Sequence, residues 1–119
     1  METKVLNNQT EFMVKFPDGT FAIGNTRFET YKATILKIGI DRVASFAQTS
    51  KLKRFGQPYI NKQKNKVLEE GGYKQEFVCR YYVVSDFSAL NMSRFLRDLS
   101  KELDLGLTIY NPCKTPLAN

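Results

Sequence analysis

The sequence predicts an α+β domain in which two helices cover one face of an antiparallel sheet. Asp18-Gly19 joins two apolar runs and is typical of a hairpin turn, because glycine supplies the positive φ that tight turns need. Two segments, 26–49 and 88–104, space their apolar residues as helices do. Residues 76–84 are dense in β-branched and aromatic side chains, which indicates a strand. We therefore expect strands and helices to alternate along the chain.

The first helix is predicted to be long, over residues 26–49, after a hairpin that spans residues 11–23. Thr26 and Glu29 are predicted to form a capping box at its start: the Thr26 side chain can accept from the Glu29 amide, and the Glu29 side chain can reach back. Gly39 opposes a continuous helix, because glycine costs about 1 kcal/mol in a helix interior. The TILKIGI stretch is also rich in β-branched residues, so a strand to Gly39 followed by a shorter helix is the alternative.

The second half of the chain is predicted to begin with an edge strand over residues 55–62, a loop over 64–74 and a central strand over 76–84. A helix over 88–104 and a last strand over 107–110 are predicted to follow. Pro58 excludes a helix interior and favours an edge strand. Ser85, Asp86 and Ser88 are suitable N-caps for the helix, and Gly106 is well placed to end it.

The resulting order, β-β-α-β-β-α-β, contains the split βαβ or ferredoxin-like arrangement. A small OB-like β-barrel is the alternative fold if residues 28–39 form a strand. A length of 119 residues predicts a single domain, 1–119. We expect its termini, about 1–9 and 111–119, to be loosely held. This fold hosts many functions, so the function must come from particular residues.

The composition removes several kinds of chemistry. Histidine is absent, which excludes His-based acid–base catalysis and His-containing zinc sites. The two cysteines, Cys79 and Cys113, form no CxxC pair, and Cys79 is predicted to be a buried thiol in an apolar strand. We therefore expect no catalytic residues, no metal site, no cofactor and no enzymatic activity. No signal peptide or membrane-spanning apolar run is visible, which predicts an intracellular, cytoplasmic protein without a membrane partner.

One segment, residues 51–66, carries the excess positive charge. The chain has a formal charge of +6, and this segment alone holds six lysines and arginines without a single acid. Aromatic and amide side chains lie between these charges, a mixture that suits a phosphate backbone and unstacked bases. We predict a non-enzymatic protein that binds nucleic acid, DNA or RNA, with single strands favoured.

Strand alternation then predicts a binding surface on the open face of the sheet. Phe55, Tyr59 and Tyr82 would stack bases there, as aromatics on RNA-recognition sheets do. Arg80 would lie beside them, because a guanidinium in an apolar strand must reach water, a carboxylate or a ligand. The candidate nucleic-acid-binding residues are Lys51, Lys53, Arg54, Phe55, Tyr59, Lys62, Lys64, Lys66, Lys74, Arg80 and Tyr82.

A second function class fits the same charges. A small interaction protein or inhibitor from a phage or mobile element would dock this basic face on an acidic protein or on a nucleoprotein enzyme. Lysines on an edge strand also protect against aggregation without any partner. If Phe55 and Tyr59 were buried, only a charged rim would be left. The N-terminal hairpin could also pair with a second copy in a homodimer.

Overall fold

Strand pairing separates the strands of the chain into two sheets. A computed structural model describes residues 12–110, which form six strands and four helices. In chain order these are β1 (Met13–Lys15), β2 (Phe21–Ala22), α1 (Arg27–Ile38), α2 (Ile40–Thr49), β3 (Ile60–Asn61), α3 (Lys66–Glu70), β4 (Gln75–Val78), β5 (Tyr81–Val84), α4 (Ala89–Leu103) and β6 (Thr108–Tyr110). The sheets are antiparallel, with strand orders β2-β1-β6 and β3-β5-β4. The α+β class is therefore confirmed.

The chain divides into two compact units. We call Met1–Lys37 with Ser88–Asn119 the terminal unit, and Ile38–Phe87 the central unit. Each unit contains one of the two sheets, so the single sheet of the predicted ferredoxin-like order is not confirmed. The single domain stays a prediction, and the predicted loose termini lie outside the described residues.

In the terminal unit, the predicted hairpin and helix cap are present. Its hairpin pairs Val14 with Ala22, and β6 pairs with the other edge of β1. The predicted cap at Thr26 is present, because its hydroxyl accepts from the Glu29 amide at 3.1 Å. The Glu29 carboxylate reaches back as expected, but it accepts from the amide of Asn25, one residue before Thr26, at 3.2 Å. The core of this unit includes Phe12, Val14, Phe16, Tyr31, Ile35, Met92, Phe95, Leu96 and Leu99, all buried.

The second predicted helix is confirmed as α4, within one residue of its predicted limits. The Ser88 hydroxyl accepts from the Asn91 amide at 3.1 Å and so caps its first turn. The helix ends at Leu103, and the residue after it, Asp104, has a left-handed φ of 56°. The rings of Tyr31 and Phe95 pack edge-to-face with 6.1 Å between their centroids, which joins α1 and α4 in the core of the terminal unit.

The long first helix is interrupted at Gly39. This glycine has a φ of 115°, so helical hydrogen bonding stops at Ile38 and starts again at Ile40. The prediction of one helix over 26–49 is wrong at this residue. The alternative strand over 28–39 is wrong along its whole length, and the described residues form no closed barrel.

The central unit differs most from the prediction, because the strand expected over residues 76–84 is a hairpin. Cys79 and Arg80 form its turn with φ values of 45° and 77°, and Val78 pairs with Tyr81 across it. Few residues other than glycine, asparagine and aspartate adopt such angles. Cys79 is exposed at the turn, so its prediction as a buried thiol is wrong.

A second two-residue turn replaces most of the predicted edge strand over 55–62. Arg54 and Gln57 exchange backbone hydrogen bonds of 3.0 and 2.8 Å around Phe55 and Gly56, whose φ values are 54° and 75°. Regular pairing is limited to β3, at the edge of the β3-β5-β4 sheet. The predicted loop over 64–74 contains helix α3. These turns change which side chains share a face.

Candidate nucleic-acid interface

A groove of about 700 Å³ lies along the short edge strand β3 of the central unit. Helix α2 contributes one side, including Asp41 and Gln48, and the segment 61–67 contributes the other. The Gln48 side chain donates to the Ile60 carbonyl at 3.2 Å, which ties α2 to this edge. The groove is therefore built from a helix and a polar segment within one unit.

Asn65 fixes the shape of the polar segment. Its side-chain amide donates to Gln57 at 2.8 Å, and its side-chain oxygen caps α3 by accepting from the Leu68 amide at 3.0 Å. Its backbone N–H and C=O both bond the Gln75 side chain, at 2.9 and 3.0 Å. The sequence offered Asn65 only as an amide between charges, although an asparagine before a helix is a common N-cap.

Three predicted lysines line this groove on alternate residues of the segment. Lys62 and Lys66 are exposed, and Lys64 makes an ion pair of 3.4 Å with Glu69 in which both side chains are about half exposed, at 53% each. Such a pair contributes little to stability in water and is open to competition by another anion. The groove therefore presents positive charge that the fold itself does not require.

Asp41 organises the end of the groove at which α2 begins. Its carboxylate accepts from the Tyr81 hydroxyl at 2.8 Å and from the Arg80 guanidinium at 3.2 and 3.3 Å. The Tyr81 hydrogen bond, followed by the charges of Arg80 and Lys62, lowers the pKa of Asp41 below 3.8. Donation to this carboxylate, together with partial burial, raises the pKa of Tyr81 above 10.0. Asp41 is therefore an anion held inside a basic groove.

Arg80 does not occupy the open sheet face predicted for it. It lies in the β4–β5 turn, where its side chain is 74% exposed and paired with Asp41. Of the three expected surroundings of Arg80, which were water, a carboxylate or a ligand, the structure shows the first two. The predicted alternation of Arg80 and Tyr82 along one strand is wrong, because Arg80 belongs to the turn before β5. Sequence spacing gave no signal for the Arg80–Asp41 pair, since these residues are 39 positions apart.

We expect Asp41→Asn to lower the pKa of Tyr81 toward its ordinary value of 10.0, because the phenol loses a charged acceptor. A spectrophotometric titration of tyrosinate, with Tyr81→Phe subtracted, measures this change. Asp86→Asn is the control, because Asp86 accepts from the Lys74 amide at 3.1 Å instead. An unchanged Tyr81 titration in Asp41→Asn would show that this hydrogen bond does not form.

A row of four aromatic rings runs from the core of the central unit to its surface, and we call it the aromatic row. Its rings, in order, are Tyr59, Phe87, Tyr73 and Phe55, with centroid separations of 4.3, 5.4 and 6.0 Å. Tyr59 is 4% exposed and Phe55 is 56% exposed. The prediction that both stack bases on one face is therefore wrong for Tyr59, which is a core residue.

Arg54 and Lys53 have structural contacts. The Arg54 guanidinium lies over Tyr73 and Phe87, at 5.7 and 6.0 Å from their ring centroids. The Lys53 ammonium donates to the carbonyl of Gln48 at 2.9 Å, at the end of α2, where a cation is favourable. Neither residue lines the groove, and nor does exposed Lys51.

An aromatic pair lies on the β3-β5-β4 sheet, and only one of its members, Tyr82, is among the predicted site residues. Phe77 lies opposite Tyr82, with ring centroids 5.0 Å apart, and Tyr82 lies opposite Asn61 on β3. Phe77 is 59% exposed and Asn61 lines the groove. Phe77 is not among the predicted site residues, because a continuous strand over 76–84 would place it on the face opposite Arg80 and Tyr82.

Other site types are not represented among the described residues. Between residues 12 and 110, the Cys, Asp and Glu side chains form no group of three that could bind a metal ion. No described helix is both long and apolar enough to cross a membrane. No family model, curated protein or solved structure matches this chain. The function must be argued from the groove itself.

Proposed function

We propose that the central unit binds single-stranded nucleic acid in the groove and catalyses no reaction. The observation that carries this proposal is the set of lysines at 62, 64 and 66 that line the groove, on a segment whose shape the hydrogen bonds of Asn65 fix. Over residues 38–87 the chain has nine lysines and arginines against five acids, so the surroundings also favour a polyanion.

The dimensions of the basic segment suit one strand. Residues 62–66 span no more than about 14 Å even when fully extended, which limits the contacts to a few phosphates. The amides of Asn61 and Gln63 lie between or beside the lysines and can bond sugar or base atoms. Tyr82 lies opposite Asn61, and Phe77 lies opposite Tyr82 on the next strand, so an unpaired base can stack on these rings for roughly 1–3 kcal/mol. A duplex would not offer its bases to these rings.

Fluorescence anisotropy with labelled single-stranded DNA, single-stranded RNA and duplex DNA tests this proposal. We expect binding that weakens between about 50 and 200 mM salt, with a log–log slope near 2 for three neutralised phosphates of a single strand. Duplex DNA should bind more weakly because it cannot stack on Phe77 and Tyr82. Absence of binding to all three at low salt would overturn the proposal and favour the alternative, an acidic protein partner.

A further inference from the structure

A second cleft, of about 430 Å³, lies next to the groove in the central unit. It is lined by Lys64, Glu69, Gly72, Tyr73, Lys74 and Gln75. Lys64 lines both spaces, so they share one cationic side chain. We infer that this cleft continues the nucleic-acid path, and that a bound strand runs from the groove past Lys64 to a base-stacking position on Phe55. This inference rests on the proposed function.

The charges of the second cleft suit a phosphate. Lys74 is exposed and adds a second cation to Lys64. Glu69 occupies the position of an anion beside Lys64, at 3.4 Å, in an ion pair that water screens. A phosphate has more charge and more acceptor oxygens than a carboxylate, so it can displace Glu69 from this lysine. The bound strand then replaces the Lys64–Glu69 ion pair, and the released Glu69 carboxylate stays in water because its side chain is about half exposed.

Helix α3 connects the two spaces over a short distance. Lys66 begins this helix at the groove, and Gly71 follows its last residue. Five residues rise about 8 Å along a helix, so a strand passing α3 needs only a few nucleotides. The Phe55 ring packs directly on Gly71, where a Cβ would overlap it. Glycine at position 71 therefore leaves the space that the Phe55 ring occupies.

The conformation of Phe55 indicates a role beyond packing. Its φ of 54° places a bulky side chain where asparagine or glycine is preferred. Tyr73 supports one side of the ring at 6.0 Å, while more than half of the residue stays exposed. Strained residues of this kind concentrate at binding sites, where the surrounding structure holds them in place. Because Gly71 and Tyr73 hold the Phe55 ring while more than half of the residue is exposed, the ring can stack one base.

Oligonucleotides of two lengths test this path, about 4 and about 12 nucleotides, which fall within the footprints of small single-strand-binding domains. We expect the wild type to bind the longer one more tightly. Lys74→Glu and Phe55→Asn should each weaken binding of the longer oligonucleotide about tenfold and leave the shorter one unchanged. Lys51→Glu is the matched control, because it makes the same charge change at an exposed lysine outside both clefts.

The outcomes separate the path from the proposed function. If both lengths bind wild type equally, or if Lys74→Glu and Phe55→Asn behave like Lys51→Glu, the second cleft is not part of the site and the groove proposal stands. If neither length binds, both proposals fail. Phe55→Asn should fold, because Asn-Gly is the preferred pair for this turn, and its circular dichroism and thermal unfolding verify this. Lys74→Glu tests the path independently of that turn.

Discussion

Replacement of Lys62 and Lys66 by glutamate is expected to reduce single-strand affinity roughly 100-fold. Both side chains are exposed, line the groove and lie at opposite ends of the segment 62–66. A loss of roughly 1.4 kcal/mol for each lysine corresponds to about tenfold in affinity per site. The slope of log affinity against log salt should also fall by about 1.4, since each single-strand phosphate contact contributes about 0.7.

A control with the same charge change separates the loss of groove contacts from the loss of net positive charge. Lys51→Glu with Lys101→Glu also removes two lysines and adds two acids, at exposed positions that do not line the groove. We expect this variant to lose less than about tenfold in affinity, because neither lysine lines the groove and salt screens exposed charges that do not contact the ligand. Equal losses in the two double variants would contradict a defined groove and indicate attraction by net charge alone.

Short-range signals account for the parts of the fold that the sequence predicted. The hairpin at Asp18-Gly19, the cap at Thr26 and the cap at Ser88 each involve residues within about four positions of one another. Such interactions depend on local side-chain chemistry and hardly on the rest of the fold. The terminal unit contains all three, which is why its predicted elements agree with the structure.

Two turns account for most errors in the central unit. Phe55-Gly56 and Cys79-Arg80 both adopt positive φ, and three of these four residues are not glycine. Aromatic and β-branched neighbours made both segments resemble continuous strands. A two-residue turn reverses the chain and changes which residues share a face, so every alternation argument across it fails. Phe55, Tyr59 and Arg80 were misplaced for this reason.

The charge of the site could be predicted, whereas its geometry could not. The excess of lysine in 51–66 is a property of composition, and three of its lysines do line the groove. The contacts that shape the groove join distant residues, such as Asp41 with Tyr81 and Asn65 with Gln75. No local pattern marks such pairs, because the tertiary fold alone brings them together.

Tyr59→Ala is expected to lower the free energy of unfolding by about 3–5 kcal/mol, the usual cost of truncating a buried aromatic side chain. Tyr59 is 4% exposed, and its ring packs edge-on against Phe87 at 4.3 Å, the shortest centroid separation in the aromatic row. Small domains have only about 5–15 kcal/mol of total stability, so this variant should unfold at far lower urea concentration. Equilibrium urea unfolding monitored by circular dichroism measures the change.

Tyr82→Ala is the matched comparison, because the same side chain is removed from the half-exposed face beside Phe77. We expect Tyr82→Ala to change stability less than Tyr59→Ala but to lose roughly 1–3 kcal/mol of single-strand binding, the contribution of one stacked base. Tyr59→Ala, measured under conditions in which it is folded, should bind as wild type does. The opposite result, a stable Tyr59→Ala that binds weakly, would place this ring at the ligand rather than in the core. The two tyrosines therefore separate stability from recognition within one unit.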